Sequence, residues 1–206
     1  MAEMKGLYVI VDPEHCAGRD PLWVAEQALA GGCAALQLRA KTMSDASRLR
    51  LARGLKQRCE AAGVPFWIND RLDLALLCDA DGLHLGQDDL PVSEVRRLWG
   101  TRPLGLSTHT LPQVSTAHIS AVDIIGFGPI FGTRSKLNPD PAVGLTGLRE
   151  ACARVPRPIV AIGGITLEHA RDVRGAGATY AAVISAVCSA QDPARAAREL
   201  HVALIG

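Results

Sequence analysis

Gln37, Arg39 and Lys41 alternate along the chain. Residues two apart in an extended segment share a face, so an amide and two cations form one polar row suited to an anionic ligand. Taken alone, the row is equally a solvated strand end. Asn69-Asp70 closes one short apolar run, and Gly86-Gln87-Asp88-Asp89 follows another. On neighbouring strands, about 4.8 Å apart, Asp70 and Asp89 could share a divalent ion. Mg2+ takes hard oxygen ligands and is typically held by one or two carboxylates with phosphate oxygens and water, so a diphosphate substrate would complete its shell. The competing reading makes Asp70 a cap for a helix starting near Leu72, and Asp89 a cap or turn residue for the next loop.

Three further segments carry phosphate-compatible chemistry. Ser107-Thr108-His109-Thr110 and the stretch from Gly126 to Lys136, which contains Thr133, Ser135 and Lys136, combine hydroxyls, a lysine point charge and glycines that admit a ligand close to the backbone. Gly163-Gly164 and Ile184-Ser185 end two later apolar runs. If those runs are strands 7 and 8 of a barrel, they sit where such barrels frequently bind phosphate. His84 reads as a satisfied interior histidine and His109 as a neighbour of a helix cap. His15, His118, His169 and His201 lack zinc spacing, and neither a G-x-S-x-G elbow nor a Cys/His constellation stands out.

The elements that must position these groups alternate. Short Val/Ile/Leu-rich runs are expected as strands at 7–11, 34–39, 66–69, 82–85, 104–107, 123–127, 159–162 and 180–185. Segments of helical period follow each one, at 22–30, 44–62, 72–78, 92–99, 111–120, 145–154, 167–176 and 193–204. Ser44 can cap the second helix, Thr166 precedes the seventh, and Gly63 and Gly177 suit helix C-termini. Eight β/α units in 206 residues predict an α/β fold, a compact (β/α)8 TIM barrel forming a single domain over 1–206, with an open doubly wound sheet as the alternative. The row Gln37, Arg39 and Lys41, with Asn69, Asp70, Asp89 and Ser107, then falls at the C-terminal strand ends where these barrels build their sites. The longest irregular stretch, 128–144, carries Lys136 and is expected to order over bound diphosphate.

Composition narrows the function classes. Lys and Arg total 22 against 21 Asp and Glu, so any phosphate binding must be local, and a cationic face for nucleic acid is not expected. Three Trp, two Tyr and three Phe offer no base-stacking platform. Six widely spaced cysteines without a C-x-x-C pair read as small core residues. No run approaches the roughly 18–20 apolar residues of a membrane span, and 7–11 is too short for a secretory segment. A reducing cytoplasm is the expected compartment.

From Leu7 to about Leu200 the sequence resembles the thiamine phosphate synthase family. The resemblance rests on QLRAK at 37–41, INDR at 68–71, DGLHLGQDD at 81–89, LGLSTHT at 104–110, GFGPIFGTRSK at 126–136 and VAIGGIT at 160–166, all in order. It implies a transferase that joins hydroxymethylpyrimidine diphosphate to hydroxyethylthiazole phosphate with Mg2+, releasing diphosphate. It also implies that Asp70 and Asp89 hold the metal, that Arg39, Lys41 and Lys136 contact diphosphate, and that Gln37, Asn69 and Ser107 surround the pyrimidine. Thr133, Ser135, Gly163, Gly164, Ile184 and Ser185 would receive the thiazole phosphate. Partners are then small-molecule substrates, with a homo-oligomer left open. Ala40 stands where an acid is usual, Gly132 where proline is common, and Ser135 replaces threonine. Two other readings compete: the related thiazole tautomerase, which uses a histidine at the position of His109, and a non-catalytic thiazole-phosphate-binding barrel.

Overall fold

The computed structural model describes residues 5–133 and 140–206. Eight parallel strands close on themselves in chain order: β1 (Gly6–Val11), β2 (Ala35–Leu38), β3 (Phe66–Asn69), β4 (Gly82–Leu85), β5 (Leu104–Thr108), β6 (Ile124–Phe127), β7 (Ile159–Ile162) and β8 (Tyr180–Val183). Closure is made by β1 on β8, with Leu7 paired to Ala181 and Val9 to Val183. Around them run α1 (Pro21–Ala30), α2 (Asp45–Ala62), α3 (Leu72–Leu77), α4 (Val92–Trp99), α5 (Leu111–Ile119), α6 (Gly144–Arg154), α7 (Leu167–Gly175), α8 (Ser185–Cys188) and α9 (Pro193–Ile205). The expected (β/α)8 barrel is therefore the observed fold.

Strand alternation divides the core into two layers. Leu7, Val9, Val11, Leu36, Phe66, Ile68 and Leu83 point outward and are buried against the helices, while Tyr8, Ile10, Ala35, Trp67, Ile124, Val160 and Ala182 pack inside the barrel. The interior is filled by two rings lying over glycines. A Cβ at Gly82 would come within 2.2 Å of the Trp67 ring, and one at Gly105 within 2.3 Å of the His84 ring. These two positions must lack a side chain for the barrel to close at native density.

Local signals set the helix ends. Ser44 accepts the Ser47 N–H at 3.4 Å, Gly63 turns the chain at φ +66, and Thr110 with Gln113 forms a reciprocal capping box. Most boundaries fall within one residue of expectation, and the largest departure is at strand 8, which stops at Val183 instead of running to Ser185. Ile184, at φ −112 and ψ −85, leaves extended geometry, and Ser185 opens the four-residue helix α8. One turn is too short to show a helical period. Cys16, Cys33, Cys59, Cys78 and Cys188 are buried, Cys152 is partly so, and all six are free thiols. No helix among the described residues is long and apolar enough to cross a membrane.

Candidate active site

A cavity of ≈ 590 Å³ opens at the C-terminal rim of the barrel. Gln37, Arg39, Asn69, Ser107, Thr133, Gly163, Gly164, Ile184 and Ser185 all line it. Lys41, Asp70 and Asp89 do not. Asp70 and Asp89 face a second hollow of ≈ 460 Å³ at the same rim, together with Leu72, Leu76, Leu90 and Leu98. Asn69 belongs to the first hollow and its neighbour Asp70 to the second, so the carboxylates stand beside the cavity, at its edge. Lys41 Nζ lies 3.4 Å from Asp70 Oδ2. Ser135 and Lys136 lie outside the described residues.

The capping alternative for Asp70 fails on geometry. Helix α3 begins after Arg71, which makes no side-chain cap bond, and Asp70 itself sits at φ +65 with its N–H donated to His84 O at 2.8 Å. Asp89 does close a turn, since its Oδ2 accepts the Gly86 N–H at 2.6 Å. The Asp70 carboxyl is pushed up to about 6, first by burial and then by the Asp89 carboxylate, against the pull of the Lys41 ammonium. Two carboxylates that repel one another at a rim form a site that a hard divalent cation would relieve. No group of three or more His, Cys, Asp or Glu capable of holding a metal occurs among the described residues. Two oxygen donors thus fit a metal that draws the rest of its shell from water and phosphate.

Inside the cavity the polar atoms are held in fixed orientations. Gln37, 2% exposed, donates Nε2–H to the Tyr8 hydroxyl at 2.9 Å. His84 Nε2 lies 2.9 Å from Ser107 Oγ, and Gln87 Nε2 donates to Ser107 O at 2.6 Å. His109 Nδ1 is 2.6 Å from Gly128 O and 3.5 Å from Asp140 Oδ2. A carbonyl can only accept, so Nδ1 carries the proton.

On the opposite side, the loops after β6 and β7 are laced together: Ile130 N–H donates to Ile162 O at 2.8 Å and Phe131 N–H to Gly163 O at 3.0 Å. Gly163 and Gly164 have φ +100 and +63, and a Cβ on Gly163 would fall 2.5 Å from Pro129 Cβ. Ser185 begins α8, whose C-terminal end is clamped by Arg19: Nη2 donates to Cys188 O and Nη1 to Ala190 O, each at 2.7 Å.

Comparison with known proteins shows the family to which the chain belongs. Residues 7–187 match the family described as thiamine monophosphate synthase. The chain belongs to that family. The thiamine-phosphate synthase of Chloroflexus aurantiacus is 45% identical over 195 residues, covering 95% of this chain and 90% of the relative. That of Moorella thermoacetica is 44% identical over 196 residues, covering 95% and 93%. Among solved structures, thiamine phosphate pyrophosphorylase from Pyrococcus furiosus superposes with a TM-score of 0.90 at 33% identity, covering 99% of this chain and 98% of that one.

Within this thiamine monophosphate synthase barrel, Tyr8, Asp12, Arg19 and Asp140 are absent from the groups singled out by the sequence. For two of them the signal was present. Tyr8, Ile10 and Asp12 alternate, so the rule that placed Gln37 and Arg39 on one face also carries Asp12 to the end of strand 1. Arg19 and Asp140 are brought in by loops, where no periodicity applies. Replacing Arg19 strips two carbonyls of their donor, at about 1–3 kcal/mol. Arg19→Met is expected to lower the melting temperature by loosening α8 and the cavity wall at Ser185, as thermal melts would report.

Proposed function

We propose that the cavity and the carboxylate pair beside it join hydroxymethylpyrimidine diphosphate to hydroxyethylthiazole phosphate. Thiamine-phosphate synthase activity, a transferase reaction, is the function shared with the family. The assignment of residues to its two halves is our reading, and one observation carries it: an acidic pair neutralised in part by Lys41 stands next to a cavity walled by Gln37, Arg39, Asn69 and Ser107.

In this reading the pyrimidine ring lies against Gln37, Asn69 and Ser107. The Tyr8 hydroxyl fixes the Gln37 amide, leaving its carbonyl and second N–H for the ring. Arg39, Lys41 and Lys136 neutralise the diphosphate as the C–O bond breaks and its electron pair leaves with the diphosphate; the aminopyrimidine stabilises the resulting methylene cation, which the thiazole nitrogen then attacks. No side-chain nucleophile is needed. Thr133, Ser135, Gly163, Gly164, Ile184 and Ser185 hold the thiazole phosphate. Asp70 and Asp89 would hold Mg2+, which when bound supplies Lewis-acid stabilisation of the departing diphosphate. The six free cysteines suit a reducing cytoplasm.

His109 also lines the cavity with its Nδ1–H fixed on Gly128 O, which favours thiazole tautomerisation as the second reading. The tautomerase chemistry has no use for the carboxylate pair. Titration calorimetry with the pyrimidine diphosphate separates the two: tight binding with Mg2+ that is lost without it supports the synthase reading, and metal-independent binding, or none, overturns it.

The raised Asp70 acidity gives a pH prediction. A proton at Asp70 competes with the metal, so Mg2+ affinity is expected to be level above about pH 7 and to fall toward about tenfold per pH unit below 6. In metal-free protein the sign is opposite. The folded-state value lies above the ordinary 3.8, so this group's stabilising contribution is full below about pH 4 and is lost as pH rises through about 6. Thermal melts at pH 5 and 7.5, with and without Mg2+, read both effects.

A further inference from the structure

We propose that Asp12 is a positioning residue for the diphosphate half of the reaction, acting by holding the Arg39 guanidinium on the cavity wall; the proposal rests on the role given to Arg39 above. Asp12 stands directly after β1, and none of its surface reaches solvent. Its Oδ1 accepts the Glu14 N–H at 3.1 Å, and its Oδ2 accepts from Arg39 Nη1 and lies 3.4 Å from His15 Nδ1. A carboxylate sealed from water requires an opposite charge and hydrogen-bond donors. Arg39 supplies the charge.

The consequence for Arg39 follows from its shape. A guanidinium is a rigid plane of five N–H donors, so fixing one of them fixes where the others point. Arg39 is also tied at its backbone, where its N–H donates to Val11 O at 3.0 Å. Both ends of this long side chain are therefore anchored to the end of strand 1, while the guanidinium remains on the wall of the cavity. A cation held in this way meets the leaving group without having to be ordered during the reaction. The loop that carries Asp12 is itself secured, because Arg19 bridges Cys16 O to Cys188 O and Ala190 O, at 3.1, 2.7 and 2.7 Å.

Asp12→Asn keeps the shape and the contact to Glu14 but removes the charge that orients Arg39. The test compares wild type, Asp12→Asn and the double variant Asp12→Asn/Arg39→Ala, which strands no buried charge. Binding of inorganic diphosphate with Mg2+ is measured by calorimetry, and KM is measured for each substrate. We expect Asp12→Asn to weaken diphosphate binding and raise the KM for the pyrimidine diphosphate about tenfold or more, with the KM for thiazole phosphate unchanged. It should account for most of the loss seen in the double variant. A double variant that binds diphosphate like wild type would remove Arg39 from the proposed function. A weak double variant alongside a normal Asp12→Asn would overturn this proposal while leaving Arg39 in place. A lowered melting temperature with unchanged diphosphate binding would likewise overturn it, reducing Asp12 to a structural role.

Discussion

Asp70→Asn and Asp89→Asn are each expected to slow turnover on the order of a hundredfold or more while the barrel stays folded. Asp70→Asn should at the same time raise the melting temperature of the metal-free protein. The two effects have one cause. Burial and the neighbouring Asp89 carboxylate push the Asp70 carboxyl up to about 6, so at neutral pH the charged form is held against its preference. Removing that charge relieves about 1–2 kcal/mol, which in a chain of this length amounts to roughly 2–8 °C. The backbone tolerates the change, since Asn enters the left-handed region at φ +65 as readily as Asp. At position 89 the amide oxygen of Asn can still accept the Gly86 N–H, so the turn persists and a rate loss there reports on charge. Rates across a Mg2+ titration, with melts on the same samples, give the answer. Near-normal rates with an unchanged Mg2+ dependence would remove both residues from the metal site.

Gly163→Ala is expected to cost about 3 kcal/mol or more, roughly 6–12 °C of melting temperature, and to abolish most of the activity. At φ +100 an L side chain is strained wherever it sits, and here its Cβ would lie 2.5 Å from Pro129 Cβ and 2.6 Å from Pro129 Cα. Relief requires the loops after β6 and β7 to part, which breaks the bonds from Ile130 to Ile162 and from Phe131 to Gly163. Those loops carry Thr133 and Gly164 to the cavity, so stability and function fail together. Gly175→Ala is the control: it meets nothing within 4 Å at the end of α7 and should stabilise slightly, as Ala does over Gly in a helix. Melts and rates of the two variants side by side check the contrast.

The barrel was legible because each β/α unit carries its own signal, a short apolar run followed by a 3.6-residue period with caps such as Ser44 and Gly63. The rim was legible through alternation, which places Gln37 and Arg39 on the cavity wall. Alternation also explains the limit of that reading. β2 ends at Leu38 and the chain bends at 41–43, so Lys41 leaves the row and turns to Asp70. The departure of the carboxylate pair from the main cavity could not be read from spacing, because it depends on how Asp70 takes up a left-handed conformation. The ring packing of Trp67 and His84 over Gly82 and Gly105 was equally hidden, since it joins residues on different strands whose register sequence does not state. The expected strand 8 overruns the start of α8 at Ser185, because a single turn has no period.

In the proposed function, one rim carries metal-assisted diphosphate release and thiazole capture. Its most direct test is to incubate the purified protein with hydroxymethylpyrimidine diphosphate, hydroxyethylthiazole phosphate and Mg2+, and to quantify thiamine phosphate and diphosphate in the same sample. The two products are expected in equal amounts, with formation of both lost when Mg2+ is chelated and restored when it is returned. Absence of thiamine phosphate from folded protein, or its formation at an unchanged rate under chelation, would contradict it.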